Sequence, residues 1–143
     1  MVTGGSRGIG AATCRLAASR GYAVVVNYAG NIAAAEAVCH DIHAAGGVAV
    51  AVRGDVSQPE DVEHIFAAAD RLGRLSGLVN NAGIVGQISR VESLDAERIN
   101  RMLAVNVTGS FLCAIAAIRR MSSRHGGTGG AIVNVASAAS KLG

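Results

Sequence analysis

The sequence predicts an α/β fold of the doubly wound kind, a parallel sheet with helices on both faces. Three observations predict it. Short runs with apolar, valine-rich cores ("YAVVVNY", "VAVAV", "SGLVNNAG", "GAIVNVAS") recur along the chain, as strands buried on both faces require. Longer segments of helical periodicity separate them. The connections are brief, which implies right-handed βαβ crossovers. The 143 residues suit one domain, and with 50% hydrophobic but only 3% aromatic residues its core must be built from Ala, Val, Ile and Leu. Nineteen glycines against one proline point to tight turns and close backbone contacts.

Taken in order, Met1 and Val2 form a strand stub, and "TGGSRGIG" (residues 3–10) turns the chain into a helix over 9–20. This strand belongs at the sheet centre, yet a strand usually runs to about five residues, so the chain is expected to be clipped at its start. A strand follows within 22–28. A helix over 31–45 places Ile32, Ala35, Cys39 and Ile42 on one face and stops at Gly46-Gly47. The next strand spans 48–52. "SQPE" at 57–60 reads as a capping box with Ser57 as N-cap and Glu60 as its partner. The helix it opens carries a stripe of Val62, Ile65, Phe66, Ala69 and Leu72. A strand within 76–83 leads to a long helix, 94–123, with Arg119, Arg120 and Arg124 near the end where cations complement the dipole. The last strand lies within 130–137.

Charge and composition exclude several functions. The formal charge of +3 comes from scattered arginines without a basic run, and aromatics are too few for base stacking, so no nucleic-acid binding is expected. The apolar stretch 102–118 is interrupted by Asn106, Thr108, Gly109 and Ser110, which suits a buried helix rather than a membrane span. No signal peptide is expected. Cys14, Cys39 and Cys113 read as reduced core thiols of a cytoplasmic protein. Cys39, His40 and His43 complete no structural zinc pattern, so no metal is expected.

The glycine turn admits two readings. Gly4-Gly5-Ser6-Arg7-Gly8 fits G-x-S-x-G, which would make Ser6 a hydrolase nucleophile with Asp95 and His125 downstream. That elbow also needs an oxyanion loop upstream, and only three residues precede Gly4. The other reading takes Gly4-x-x-x-Gly8-x-Gly10 as a turn that admits a dinucleotide phosphate to the N–H groups of a helix start. G-x-G-x-x-G itself is absent, because Thr13 stands where its last glycine would fall.

In these motifs the chain resembles the short-chain dehydrogenase/reductase family. The matches are Thr3-Gly4-x-x-x-Gly8-x-Gly10, Asp55-Val56, Asn80-Asn81-Ala82-Gly83, Asn106 in the long helix, and "IVNVAS" ending at Ser137. They fall in family order across essentially all 143 residues, with wording similar to 3-oxoacyl-carrier-protein reductases and sugar or polyol dehydrogenases. The resemblance implies a Rossmann-type nucleotide-binding domain over 1–143, partial because later strands and helices are lacking. It puts Thr3, Gly4, Ser6, Arg7, Gly8, Ile9 and Gly10 at the cofactor phosphates. Asp55 and Val56 would lie at the adenine, and Asn80, Asn81, Ala82 and Gly83 beside the ribose. It implies that Asn106 holds a water in a proton relay at a helix distortion. It also implies that Ser137 hydrogen-bonds the substrate carbonyl; Ser140 is the competing assignment, and spacing from the strand favours Ser137. Hydride transfer between NADP(H) and a small carbonyl or secondary alcohol is the implied reaction, in a homodimer or homotetramer assembled through 94–123.

NADP(H) is expected because an NAD-preferring fold ends its second strand with Asp or Glu. Here Asn27 and Tyr28 stand at that place, and Arg7 offers a 2′-phosphate a charge-assisted partner. The family's Tyr-x-x-x-Lys pair has no counterpart, since the tyrosines are Tyr22 and Tyr28 and the one lysine is Lys141. Residues 1–143 alone are therefore expected to be inactive. Retention of Asn106 and Ser137 favours a catalytic parent over a mere dinucleotide-binding module or assembly scaffold.

Overall fold

A computed structural model describes residues 1–137 of the chain. Helix α1 (Gly8–Ser19) precedes β1 (Val24–Tyr28), α2 (Ile32–Ala44), β2 (Ala49–Arg53), α3 (Pro59–Leu72) and β3 (Gly77–Asn80). Then come α4 (Ala96–Leu103), a π-helical turn (Ala104–Thr108), α5 (Gly109–Met121) and β4 (Ala131–Asn134). β1 pairs with β2 and β3 with β4, both parallel. The stub joins the two pairs, because Val2 bridges Val26 on one side and Val79 on the other. Its N–H donates to the Val25 carbonyl at 3.0 Å, and the Val79 N–H donates to the Met1 carbonyl at 2.9 Å. The order across the sheet is thus β2, β1, Met1–Val2, β3, β4, with the stub at the centre as expected.

Each face of this sheet carries its own core, which is what doubly wound means physically. Val24, Val26 and Tyr28 pack with Cys14 of α1 and with Ala35, Val38, Cys39 and Ile42 of α2. Val25 and Leu78 pack on the opposite face with Ile65 and Phe66 of α3 and Cys113, Ala116 and Ala117 of α5.

Three local expectations need correction. The α2 stripe is Ala35, Val38, Cys39 and Ile42, while Ile32, the first helical residue, is exposed. The capping box does not form: Gln58 is the N-cap of α3, without a side-chain bond, and Pro59 opens the helix. Proline fits there because its missing N–H would lack an intrahelical partner anyway. The Ser57 hydroxyl instead donates to Asp55 Oδ1 at 2.7 Å. Arg120 does more than complement a dipole. It grips Asp70 of α3 through Nε and Nη2, donates to the Ala116 carbonyl, and lies 5.2 Å from the Phe66 ring centroid. It therefore clamps α5 onto α3.

The long helix is continuous over Ala96–Met121 and is long and apolar enough to cross a membrane by length and composition. Its α5 half packs Cys113, Ala116, Ala117 and Met121 against the domain core, but Leu103, Val107, Phe111 and Ile115 are exposed, so the apolar stretch is buried along one face only and is not the buried helix expected from the sequence.

All three cysteines are free and buried. Burial pushes the Cys14 and Cys113 thiols up to about 12 and raises Cys39, with Glu36 adding to the effect. At pH 8 the first two stay almost wholly protonated, and the thiolate is the reactive form. Iodoacetamide at pH 8 is therefore expected to spare Cys14 and Cys113 in the folded protein and to alkylate all three in guanidinium. Labelling of Cys14 under native conditions, read by peptide mass spectrometry, would contradict this packing.

Candidate functional site

The carboxyl ends of the strands collect the residues that the motifs single out, at the sheet edge where open α/β folds bind ligands. The glycine turn leaves the stub there. Thr3, buried, accepts the N–H groups of Asn81 and Ala82 on its hydroxyl at 3.0 Å each. The Asn81 side-chain amide donates back to the carbonyls of Thr3 (2.9 Å) and Gly4 (3.0 Å). Thr3 and Asn81 thus rivet the turn to the segment after β3.

The glycines of the turn have distinct tasks. Gly4 and Gly8 have φ of +59° and +53°, a region that costs side-chain-bearing residues about 1–2 kcal/mol. Nothing lies within 4 Å of a Cβ built at Gly8, so the space above it is open to a ligand. At Gly10 a Cβ would fall on the Gly4 carbonyl oxygen and 2.5 Å from Asn81 Nδ2. Gly10 therefore lets α1 approach the turn. Ser6, Arg7 and Ile9 stand at the helix start, where the first N–H groups have no intrahelical acceptor; Arg7 and Ile9 are exposed and Ser6 is half-buried.

Asn27 and Tyr28 face inward. The Asn27 oxygen accepts the Gly4 N–H at 3.2 Å, and its amide donates to the Gly54 carbonyl at 2.9 Å. The Tyr28 ring lies in the core. Both side chains are engaged by the fold. What the end of β1 presents to a ligand is exposed Ala29, Gly30 and Asn31, and Arg53 reaches this corner by donating to the Ala29 carbonyl at 3.3 Å.

Asp55 follows β2. Its Oδ1 accepts the Ser57 N–H (2.9 Å) and hydroxyl (2.7 Å), and its Oδ2 accepts Arg101 Nη2 at 2.7 Å. Partial burial alone would raise its pKa, but the Ser57 bonds and the Arg101 charge prevail and hold the carboxyl below its ordinary value. Val56 is buried beside it and packs on Gly109 of α5, where any Cβ would stand 2.7 Å from the valine.

On the other side of the turn lies a cavity of about 510 Å³. Asn80, Asn81, Ala82, Gly83, Asn106 and Ser137 are among its lining residues. The Asn106 side chain is bidentate on Ile84, accepting its N–H at 2.8 Å and donating to its carbonyl at 2.9 Å. It sits within the π turn, where the helix distortion was expected, and its carbonyl accepts the Ser110 hydroxyl at 3.1 Å. Asn80 donates to the Ser110 carbonyl (3.1 Å) and to Asn134 Oδ1 (3.0 Å), while its own buried oxygen has no partner among the described residues. Ser137 lies just past β4. Ser140 and Lys141 lie outside the described residues.

A second cleft of about 430 Å³ opens at the amino ends of the strands, beneath Met1. It is lined mainly by apolar core residues and holds none of the motif residues except Thr13 and Tyr22 from their flanks.

Geometry disposes of a Ser6 triad. Asp95 caps α4, its Oδ1 accepting the Arg98 N–H at 2.7 Å, whereas His125 lies beyond the end of α5. The 26-residue helix between them is about 39 Å long at 1.5 Å per residue. Among the described residues no three His, Cys, Asp or Glu side chains gather to hold a metal. Arg101 has no local signal in the sequence, because its contact with Asp55 joins residues 46 positions apart; Ser57 and Asp61 lie only two and six positions from Asp55, but Ser57 reads there as a helix cap rather than as a partner of Asp55.

Known proteins share this chain's sequence and fold. The profile of the family described as "short chain dehydrogenase" matches residues 1–143. The chain is 53% identical over its whole length to the "uncharacterized oxidoreductase YgfF" of Escherichia coli, covering 58% of that protein. It is 38% identical, again over its whole length, to a 3-oxoacyl-[acyl-carrier-protein] reductase of Synechocystis, covering 57% of it. A short-chain dehydrogenase/reductase structure from Serratia marcescens superposes with a TM-score of 0.85 at 37% identity, over 95% of this chain and 54% of that one. The chain thus spans about half the length of the relatives it matches.

Proposed function

The chain belongs to the short-chain dehydrogenase family, and from that premise we propose that it is the nucleotide-binding part of an NADP(H)-dependent oxidoreductase acting on a small carbonyl or secondary alcohol. The observation that carries this reading is the meeting of the glycine turn with the Asn106–Ser137 cavity at one sheet edge.

The residues present fit a dinucleotide. Gly8 leaves open space at a helix start, and the helix supplies N–H donors and a favourable dipole to a pyrophosphate. Asp55 is ionised and can accept from an adenine amino group, and Arg7 pairs with a 2′-phosphate. The cofactor, when bound, supplies or takes up the hydride. Ser137 donates a hydrogen bond to the substrate oxygen, strongest when that oxygen carries alkoxide charge, and so stabilises the transition state. Asn106 holds the segment after β3 against the long helix and keeps its own carbonyl at the cavity for a relay water. Neither Tyr22 nor Tyr28 lines that cavity, so residues 1–143 bind and orient without completing turnover alone.

The exposed stripe Ile99, Leu103, Val107, Phe111 and Ile115, spaced by four along the long helix, supports a homo-oligomer formed through this face. We assign the protein to the cytoplasm, in keeping with its free thiols.

Fluorescence titration tests the cofactor assignment. Arg7→Ala is expected to weaken NADPH about ten-fold or more and NADH by less than two-fold, the loss of one charge-assisted phosphate contact. An acid at Ala29, the exposed residue after buried Tyr28, is expected to shift preference toward NADH. Equal loss of both cofactors in Arg7→Ala would refute the 2′-phosphate role.

A further inference from the structure

The loop that follows β2 is fastened to the long helix rather than only to its own strand. Arg101 of α4 makes a two-pronged contact with it, Nη2 to Asp55 Oδ2 at 2.7 Å and Nη1 to Ser57 Oγ at 2.9 Å. Asp61 fixes the same loop from below, its Oδ2 accepting the Asp55 N–H at 2.7 Å. Two turns further along the helix, Gly109 admits Val56 so closely that no side chain fits between them.

A carboxylate accepts about four hydrogen bonds, two per oxygen. Ser57 takes both on Oδ1 and Arg101 takes one on Oδ2. One acceptor direction remains, on Oδ2, and the guanidinium fork decides where it points. Without Arg101, Asp55 would keep its Ser57 bonds, but Oδ2 would be free to turn and would lose its compensating charge.

We propose that Arg101 is a positioning residue for the adenosine half of the dinucleotide, holding Asp55 so that its last acceptor direction meets the adenine amino group. This rests on the dinucleotide reading given above. The adenosine pocket is then built by two elements, the β2 loop and α4, and the second also carries Asn106 through the adjoining π turn. Arginine is required because its planar fork spans Asp55 and Ser57 together, which the single ammonium of lysine cannot do.

The test uses the protein in its full encoded length, with adenosine 2′,5′-bisphosphate and reduced nicotinamide mononucleotide as separate probes of the two halves, followed by calorimetry. Arg101→Gln is expected to raise the Kd of the bisphosphate about ten-fold and that of the mononucleotide by less than two-fold. In turnover the loss appears in KM for NADPH rather than in kcat. Arg101→Lys recovers only part of the affinity. Asp55→Asn combined with Arg101→Gln binds no worse than Asp55→Asn alone, because the arginine acts through the carboxylate. Equal weakening of both probes, full rescue by lysine, or an additive double variant would overturn the assignment, as would wild-type affinity in Arg101→Gln. Failure of the unaltered protein to bind the bisphosphate would instead bring down the dinucleotide reading and this inference with it.

Discussion

Gly10→Ala is expected to abolish dinucleotide binding and to remove much of the stability of the fold. The new methyl carbon would fall on the Gly4 carbonyl oxygen and within 2.5 Å of Asn81 Nδ2. These atoms already hydrogen-bond each other at 3.0 Å, so relief requires α1 to move away from the turn or that bond to break. Neither is a small adjustment, because one obstacle is backbone and the other is an amide held on two carbonyls. Overpacking of this kind, combined with loss of a buried polar tie, lies at the severe end of single substitutions, about 4 kcal/mol. Marginal stability of about 5–15 kcal/mol leaves little after such a loss. Gly8→Ala provides the contrast: its φ of +53° is costly for alanine, but no atom stands within 4 Å. Its expected cost is about 1–2 kcal/mol. Denaturant midpoints and NADPH titration on the two variants should separate by this margin, and equal midpoints would show that α1 packs elsewhere.

What the sequence could reveal depended on how local each cause is. Strand positions were legible because Val24, Val25 and Val26 are apolar on both sides, a pattern that needs no knowledge of the partner strands. The centre of the sheet was legible from the glycine turn, although Met1–Val2 is far too short to look like a strand. The capping box failed because two local solutions competed for Ser57. Asp55 captured its hydroxyl, and Pro59 could open α3 unaided. Asn27 and Tyr28 were legible as the end of β1, but alternation alone does not say which interior groups will engage a polar side chain. Asn27 is buried because the Gly4 N–H and the Gly54 carbonyl meet there from distant parts of the chain. The π turn at Asn106 was anticipated only through family resemblance. Arg101 was invisible for the same reason that Asn81 was only half understood: its partners come from another crossover. Long-range polar contacts are consequences of the fold, and a single sequence does not display them.

Ser137→Ala, made in the full encoded protein, is expected to lower kcat about 10²–10³-fold while leaving cofactor affinity within two-fold. The serine lies past the end of β4 and lines the same cavity as Asn106 and the Asn81–Gly83 segment, away from Arg7 and Asp55. Its proposed bond goes to an oxygen that is nearly neutral in the bound ketone and negative once the carbonyl carbon has accepted hydride. Such a donor contributes more in the transition state than in the ground state, and removing one of this kind costs about 2.7–4 kcal/mol of barrier. Loss in kcat with little change in KM is the signature of that difference. Asn106→Ala should behave otherwise. It frees both polar groups of Ile84 from the helix, loosening the cavity wall, so KM for the carbonyl substrate should rise together with a fall in kcat. Consumption of NADPH with an acetoacetyl thioester and a panel of small ketones reads both effects. Near-normal kcat in Ser137→Ala would move the donor role elsewhere on the cavity wall, where Ser110, already hydrogen-bonded to the Asn106 carbonyl, carries the next hydroxyl to be tested.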